Sequence, residues 1–147
     1  MDPISTIKVH KDSSFAMLLA AQARGWQLFY MEQADLYLQD GRAFASMRRL
    51  SVRDQNTDWY EHSEAEKHPL SSLDVVLMRK DPPVNMEYLY TTHVLERAEL
   101  EGVLVVNRPS SLRNCNEKLF TAWFPECCVF SVVSRDLGCL WAFLHQH

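Results

Sequence analysis

The segment of this 147-residue sequence richest in potential chemistry is RKDPP (79–83), which directly follows the apolar run LDVVLM. Arg79 can bind a carboxylate or phosphate through paired hydrogen bonds, and Lys80 can do so as a point charge. Two prolines restrict the backbone, which favours a rigid loop. Alternatively, the basic pair beside Asp81 is a solvated strand end with local charge compensation. Spacing alone leaves both interpretations open.

Two further polar segments lie near the first predicted helix: Ser13-Ser14 at its start, and Asp2 ahead of it. Ser13 and Ser14 stand immediately before an apolar face with helical spacing, so we interpret them as N-caps rather than nucleophiles. No histidine is placed in the sequence to activate them. Asp2 is followed by the segment that opens this helix, which makes it a candidate member of the same polar edge. The sequence has four glycines and no phosphate-cradling glycine motif.

The elements that must position these residues alternate between helix and strand, which is typical of an α/β fold. Strands are predicted at 26–31, at Leu73–Met78 and Val103–Val106 with both faces covered, and at Val129–Val133. Asp40-Gly41 predicts a hairpin turn. The region 53–69 is polar and is expected to be a surface loop or a frayed helix. Helices are predicted from Ser13-Ser14 to Gly25, from Asn85 to Glu101, from Asn114 to Trp123 and from Leu137 to Leu144.

This pattern predicts an open, mostly parallel sheet with flanking helices and a β-hairpin insertion. In such sheets, ligands bind just beyond the carboxyl ends of the strands. The loops at 79–83 and 107–113 should therefore lie on one edge, with Asp2 as a third member. A strand before Asp2 would complete the arrangement.

The composition of the chain excludes several classes of protein. The chain carries 15 Lys and Arg against 19 Asp and Glu, a net charge of −4, and 47% hydrophobic residues. These values exclude disorder and coiled coil and argue against nucleic acid as a partner. No apolar run approaches the roughly 20 residues that span a bilayer, so we expect no membrane partner and a cytoplasmic location. The four cysteines form no CxxC pair, and we expect four free thiols that are buried or half-buried.

Much of the sequence closely resembles the N-terminal part of bacterial glutathione synthetase. The resemblance covers nearly the whole chain, and RKDPP and NRPSSLRNCNEKLF are its most specific motifs. The similar segments are MDPI (1–4), KDSSFAMLLAAQARG (11–25), MEQADLYL (31–38), LDVVLMRKDPP (73–83), YTTHVLERAELEG (90–102), VNRPSSLRNCNEKLF (106–120), TAWF (121–124) and VVSR (132–135).

This resemblance implies an ATP-grasp ligase with a Rossmann-like pre-ATP-grasp domain. ATP, held with Mg²⁺, would phosphorylate the cysteinyl carboxylate of γ-glutamylcysteine, and glycine would then attack the acyl phosphate to give glutathione, ADP and phosphate. No protein nucleophile is required, since catalysis is positioning and charge neutralisation. The resemblance assigns Lys118 to the ATP phosphates and no metal ligand to this chain. Position on the ligand edge assigns six residues to γ-glutamylcysteine: Asp2, Ser13, Ser14, Arg79, Lys80 and Asp81.

The same resemblance divides the chain in two. Residues 1–117 would form the pre-ATP-grasp substrate domain, and residues 118–147 a linker and the incomplete start of the ATP-grasp region. We therefore expect a chain cut at both ends that has no ligase activity alone, while the full-length enzyme would be a homo-oligomer. The alternative is a non-enzymatic α/β domain that binds a small ligand or a partner.

Overall fold

The computed structural model describes residues 1–115 and 117–146, which fold as a mixture of helices and strands. The α/β class predicted from the sequence is confirmed. The helices are α1 (Ser13–Ala23), α2 (Met86–Leu100), α3 (Pro109–Asn114) and α4 (Leu137–Gln146). The strands are β1 (Leu28–Tyr30), β2 (Leu36–Gln39), β3 (Arg42–Val52), β4 (Tyr60–His62), β5 (Glu66–Pro69), β6 (Val75–Leu77) and β7 (Leu104–Val106).

The larger sheet is built around the long strand β3. Strands β1, β2, β4 and β5 each pair with β3, and every pairing is antiparallel. The predicted hairpin is confirmed: Asp40 and Gly41 join β2 to β3 with φ angles of 52° and 76°. Positive φ at both turn residues gives the twist that matches the flanking strands.

Strand β3 changes the face that it buries partway along its length. Ala43, Ala45 and Met47 are buried, and then Leu50 and Val52 are buried instead. Because successive strand residues point to opposite faces, these two sets lie on opposite sides of the sheet. The first set belongs to a core that includes residues of α2, and the second to a core that includes Phe15 of α1. One strand therefore holds both cores together.

The smaller sheet consists of β6 and β7, which pair in parallel with Val76 opposite Val105. Both valines are buried in the core that includes Leu95 and Ala98 of α2. Helix α2 begins at Met86 with Asn85 as its cap, close to the predicted start at Asn85. The other face of the two strands is largely open, with exposures of 39% to 60% at Val75, Leu77, Leu104 and Val106. The prediction that both faces are covered is therefore wrong.

Other expectations need correction. Parallel pairing holds for β6 and β7, but the larger sheet is antiparallel, so the sheet is not mostly parallel. Region 53–69 contains β4 and β5, whose polar side chains hide the strand signal because edge strands tolerate exposure. Residues 129–133 form no strand. All four cysteines are free, as expected, but exposed rather than buried.

The C-terminal part of the chain is helical in short pieces. The helix predicted from Asn114 to Trp123 is instead divided between α3, which ends at Asn114, and a 3₁₀ helix at Lys118–Trp123. Asn116 lies outside the described residues, as does His147 at the end of the second predicted unit. Helix α4 confirms the prediction at Leu137–Leu144 and extends to Gln146. No helix in the described ranges is long and apolar enough to cross a membrane.

Candidate functional site

The carboxyl ends of β6 and β7 bring two loops to one edge of the domain. The backbone N–H of Met78 donates to the carbonyl of Val106 at 2.7 Å, directly where the strands end. From there, the chain passes through the cis peptides Pro82–Pro83 and Val106–Asn107. Residues of both loops line a common pocket. The prediction that the loops at 79–83 and 107–113 share an edge is confirmed.

Helix α3, which follows the second loop, is fixed to α2 by Arg113. The two carboxylate oxygens of Glu96 accept hydrogen bonds from Nη2 of Arg113, both at 2.8 Å, and Nη1 of Arg113 donates to the hydroxyl of buried Thr92 at 3.2 Å. The hydrogen bond from Arg113 lowers the pKa of Glu96 below its usual value, against a smaller opposing effect of burial. This ion pair holds the 107–113 loop in register with the strand ends.

Arg79 reaches from the end of β6 to the start of α1. Its Nε donates to Oγ of Ser14 at 3.0 Å, and its Nη2 donates to Oγ of Ser13 at 2.9 Å. Each serine oxygen acts as the acceptor, so each hydroxyl proton remains available for donation to another group. A guanidinium and two hydroxyl donors therefore converge, which is a suitable arrangement for a carboxylate.

The two serines do not cap α1, and that expectation was wrong. The cap is Asp12, whose Oδ1 accepts from the backbone N–H groups of Ser14 at 2.7 Å and Phe15 at 3.1 Å. An aspartate is as good a cap as a serine, and Asp12 stands one position earlier in the sequence. With the cap supplied by Asp12, the hydroxyls of Ser13 and Ser14 can face Arg79. Asp12 is the residue of this site that the sequence interpretation missed.

Asp2 holds the rest of the RKDPP loop. Its Oδ1 lies 2.7 Å from Nζ of Lys80, and its Oδ2 accepts from the backbone N–H of Asp81 at 2.8 Å. Lys80 also donates to the carbonyl of Asp81 at 2.8 Å. Burial raises the pKa of Asp2, but the hydrogen bonds from Lys80 and Asp81 outweigh it and lower that pKa overall. Asp2 is therefore held as a carboxylate.

The structure thus brings together all six residues that the sequence placed on the substrate edge. We call this set the Arg79 cluster, and it comprises Asp2, Ser13, Ser14, Arg79, Lys80 and Asp81. Lys118, the residue assigned to ATP, has no part in these contacts. It is exposed and begins the 3₁₀ helix that ends at Trp123.

A pocket of about 550 Å³ opens between the two loops. We call it the loop pocket. Its apolar and aromatic lining comes from Pro82, Val84, Tyr88 and Leu112, and its polar lining from Asn107, Arg108, Ser111 and Cys115. Pro82 directly follows Asp81, so the pocket begins where the Arg79 cluster ends. Within residues 1–115 and 117–146, no group of three or more His, Cys, Asp or Glu side chains is placed to hold a metal ion.

These features define an α/β domain with a cluster of charged and hydroxyl side chains and an adjoining pocket at the ends of its parallel strands. Comparison with known protein families makes the class specific. Residues 1–113 match the N-terminal domain of prokaryotic glutathione synthetase, and the chain belongs to that family.

Individual relatives agree with the family. The chain is 59% identical over 146 residues to a glutathione synthetase of Shewanella oneidensis, 56% identical over 147 residues to one of Pseudomonas putida, and 54% identical over 147 residues to one of Yersinia pestis. These alignments cover 99% to 100% of this chain but 46% of each relative. The chain thus spans slightly less than half the length of these relatives.

Proposed function

We propose that this chain provides the γ-glutamylcysteine-binding wall of a glutathione synthetase, the ligase that joins this dipeptide to glycine. The observation that carries the proposal is the convergence of the Arg79 cluster at the strand ends, in a chain of this family. The names of its relatives supply the reaction. The activity of the chain alone is expected to be absent, because it spans 46% of their length.

The chemistry of the cluster suits one end of the proposed substrate. The γ-glutamyl end carries a free α-amino group and a free α-carboxylate. Arg79, with the hydroxyls of Ser13 and Ser14, offers donors for the carboxylate. The carboxylate of Asp81, which is exposed and follows Arg79 by two positions in the same loop, offers an acceptor for the ammonium group. Because both charges are met within one cluster, the site favours a zwitterionic amino-acid head over a simple acid.

The proposal extends to ATP and Mg²⁺ in an ATP-grasp ligase. Lys118 is an exposed cation, which fits contact with nucleotide phosphates, and we assign it that role. ATP supplies the phosphoryl group that activates the carboxylate of the dipeptide. We assign no magnesium ligand to this chain. We further propose residues 1–117 as the substrate domain and 118–147 as the linker into the nucleotide-binding region. Cytoplasmic location and homo-oligomerisation of the full-length enzyme remain predictions.

Calorimetric titration of the chain with γ-glutamylcysteine tests the proposal. Arg79→Gln should weaken binding by about tenfold or more, because a charged hydrogen-bonding partner of the carboxylate is lost. Arg24→Gln is the matched control, since Arg24 lies at the other end of α1 and donates to the carbonyl of Ala20. Equal affinities of the two variants would remove Arg79 from the site, and absence of binding to the unaltered chain would contradict the proposed binding role.

A further inference from the structure

The loop pocket has no role in the contacts of the Arg79 cluster, yet it opens immediately beside it. Its volume of about 550 Å³ lies within the range of pockets that hold small organic ligands and far exceeds what glycine needs. Its lining combines an apolar, aromatic part with a few polar groups, which is the usual composition of such sites. The pocket therefore suits a molecule with a short hydrocarbon or thiol side chain and a charged end.

Arg108 supplies the charge. Its guanidinium Nε lies 3.3 Å from Oε1 of Glu99, and its side chain is 71% exposed. A guanidinium carries five N–H donors, so the contact with Glu99 leaves donors for a ligand carboxylate. Asn107 and Ser111 add an amide and a hydroxyl. The anchoring of α3 by Arg113 and Glu96 fixes this part of the pocket before a ligand arrives.

The position of the pocket relative to the cluster matters as much as its chemistry. Asp81 belongs to the cluster and Pro82 lines the pocket, so the two sites are joined through one peptide bond. A dipeptide with a zwitterionic head in the cluster would extend its second residue into the pocket. That second residue, cysteine, has a small apolar thiol side chain and the terminal carboxylate.

We propose that the loop pocket binds the cysteinyl half of γ-glutamylcysteine, with Arg108 contacting its carboxylate and Pro82, Val84 and Leu112 contacting its side chain. This inference rests on the proposed function and assigns the second half of the same substrate. It makes Arg108 a binding residue and leaves recognition of the γ-glutamyl half to the Arg79 cluster.

The thiol of Cys115 lines the pocket and is exposed, so it reports on occupancy directly. The experiment uses a chain in which the other cysteines, Cys127, Cys128 and Cys139, are replaced by serine. The probe is γ-glutamyl-2-aminobutyrate, in which a methyl group replaces the substrate thiol and which therefore does not consume the alkylating reagent. The rate of Cys115 alkylation by iodoacetamide is followed by mass spectrometry as the probe concentration rises.

Saturating probe should slow alkylation by about fivefold or more, because the ligand would cover the thiol. Arg108→Gln should raise the probe concentration that gives half protection by about tenfold, which is the effect of one lost charged contact. For Arg108→Lys, the probe concentration that gives half protection should lie between those of the unaltered chain and of Arg108→Gln. Lysine keeps the positive charge but cannot form the paired hydrogen bonds of a guanidinium. Arg24→Gln should leave the protection curve unchanged. Alkylation that does not slow at up to about 10 mM probe, or equal protection in Arg108→Gln, overturns the proposal.

Ligand-detected NMR on the same samples separates this inference from the proposed function. Binding that is lost in Arg79→Gln without any protection of Cys115 overturns the pocket assignment and supports the cluster. Binding and protection that depend on Arg108 but not on Arg79 support the pocket and remove the cluster. If the probe gives neither binding nor protection, both proposals are wrong.

Discussion

Asp2 and Asp81 are 79 positions apart in the sequence, yet the backbone N–H of Asp81 donates to Oδ2 of Asp2 at 2.8 Å. The other oxygen of the same carboxylate lies 2.7 Å from Nζ of Lys80. One aspartate near the start of the chain therefore fixes both the backbone and the cation of the loop after β6. The loop is held in shape before any ligand binds, which reduces the entropy lost on binding.

Asp2→Asn removes the carboxylate that holds Lys80 and Asp81, and its effect on the free energy of unfolding should depend on pH. The pKa of Asp2 in the folded chain lies below its usual value of 3.8, so its carboxylate stabilises the fold at pH values above 3.8. That contribution is lost as the pH falls through the lowered pKa. We expect the variant to be about 1 kcal/mol less stable at pH 7, a modest value because the pair is partly exposed to solvent. Urea unfolding at a series of pH values measures the difference.

The difference between the two proteins should shrink as the pH falls below 3.8. Asp74→Asn, at a position outside the Arg79 cluster, is the matched control for replacing an aspartate by asparagine. A stability difference that stays constant across the whole pH series would mean that Asp2 acts through packing rather than charge.

Asp12→Ala should destabilise the chain by about 1 kcal/mol, since it removes the cap of α1. Asp12→Asn keeps a capping oxygen and should cost only a few tenths of that amount. Ser13→Ala should also have little effect on stability, because its hydroxyl contacts Arg79 rather than the helix backbone. Urea unfolding of the three variants distinguishes them, and a larger loss in Ser13→Ala than in Asp12→Ala would restore the serine as the cap.

The capping error shows what local sequence patterns can and cannot supply. Asp12, Ser13 and Ser14 are all good caps, so the sequence alone does not fix the register of the first turn. The partnership of the serines with Arg79 depends on a contact across more than 60 positions, which no local rule contains. The strand-end rule succeeded because β6 and β7 are parallel and their carboxyl ends must share an edge. The rule correctly predicts that the two loops meet at one edge, but it does not predict which atoms are in contact.

Strand β3 illustrates a second limit of the sequence. A half-buried strand is recognised by regular alternation, and β3 breaks that alternation between Met47 and Leu50 when its buried face changes. Strands β4 and β5 have no apolar pattern of their own and pair with β3 at the edges of the sheet. The sequence therefore predicts fewer antiparallel strands than the five-stranded sheet contains. Helix α2, which the sequence predicts from Asn85 to Glu101, spans Met86–Leu100 in the structure.

The change of face in β3 predicts independent energetic effects on its two sides. Met47→Ala and Leu50→Ala should each destabilise the chain by about 2 to 5 kcal/mol, because both side chains are buried. Since the two residues belong to separate cores, the double variant should show the sum within about 0.5 kcal/mol. Arg49→Ala, between them and exposed, should change the free energy of unfolding by less than about 0.5 kcal/mol.

Denaturant unfolding of the four variants measures these values. If the single variants are too unstable to analyse, Met47→Leu and Leu50→Val preserve most of the volume and allow the same additivity test. A coupling energy above about 1 kcal/mol would show that the two cores act as one, and that the strand does not separate them.

Recognition of the amino group of the proposed ligand, γ-glutamylcysteine, provides the most direct test of the charges in the Arg79 cluster. Glutaryl-cysteine differs from γ-glutamylcysteine only in lacking the α-amino group. If Asp81 contacts this group, the unaltered chain should bind glutaryl-cysteine about tenfold more weakly, and Asp81→Asn should bind the two ligands nearly equally. Calorimetric titration of both proteins with both ligands gives four affinities. Their comparison isolates the coupling between the ligand amine and the Asp81 carboxylate. A preference for the amine that survives in Asp81→Asn would assign its recognition to another group. Equal binding of both ligands by the unaltered chain would mean that the cluster recognises the carboxylate alone.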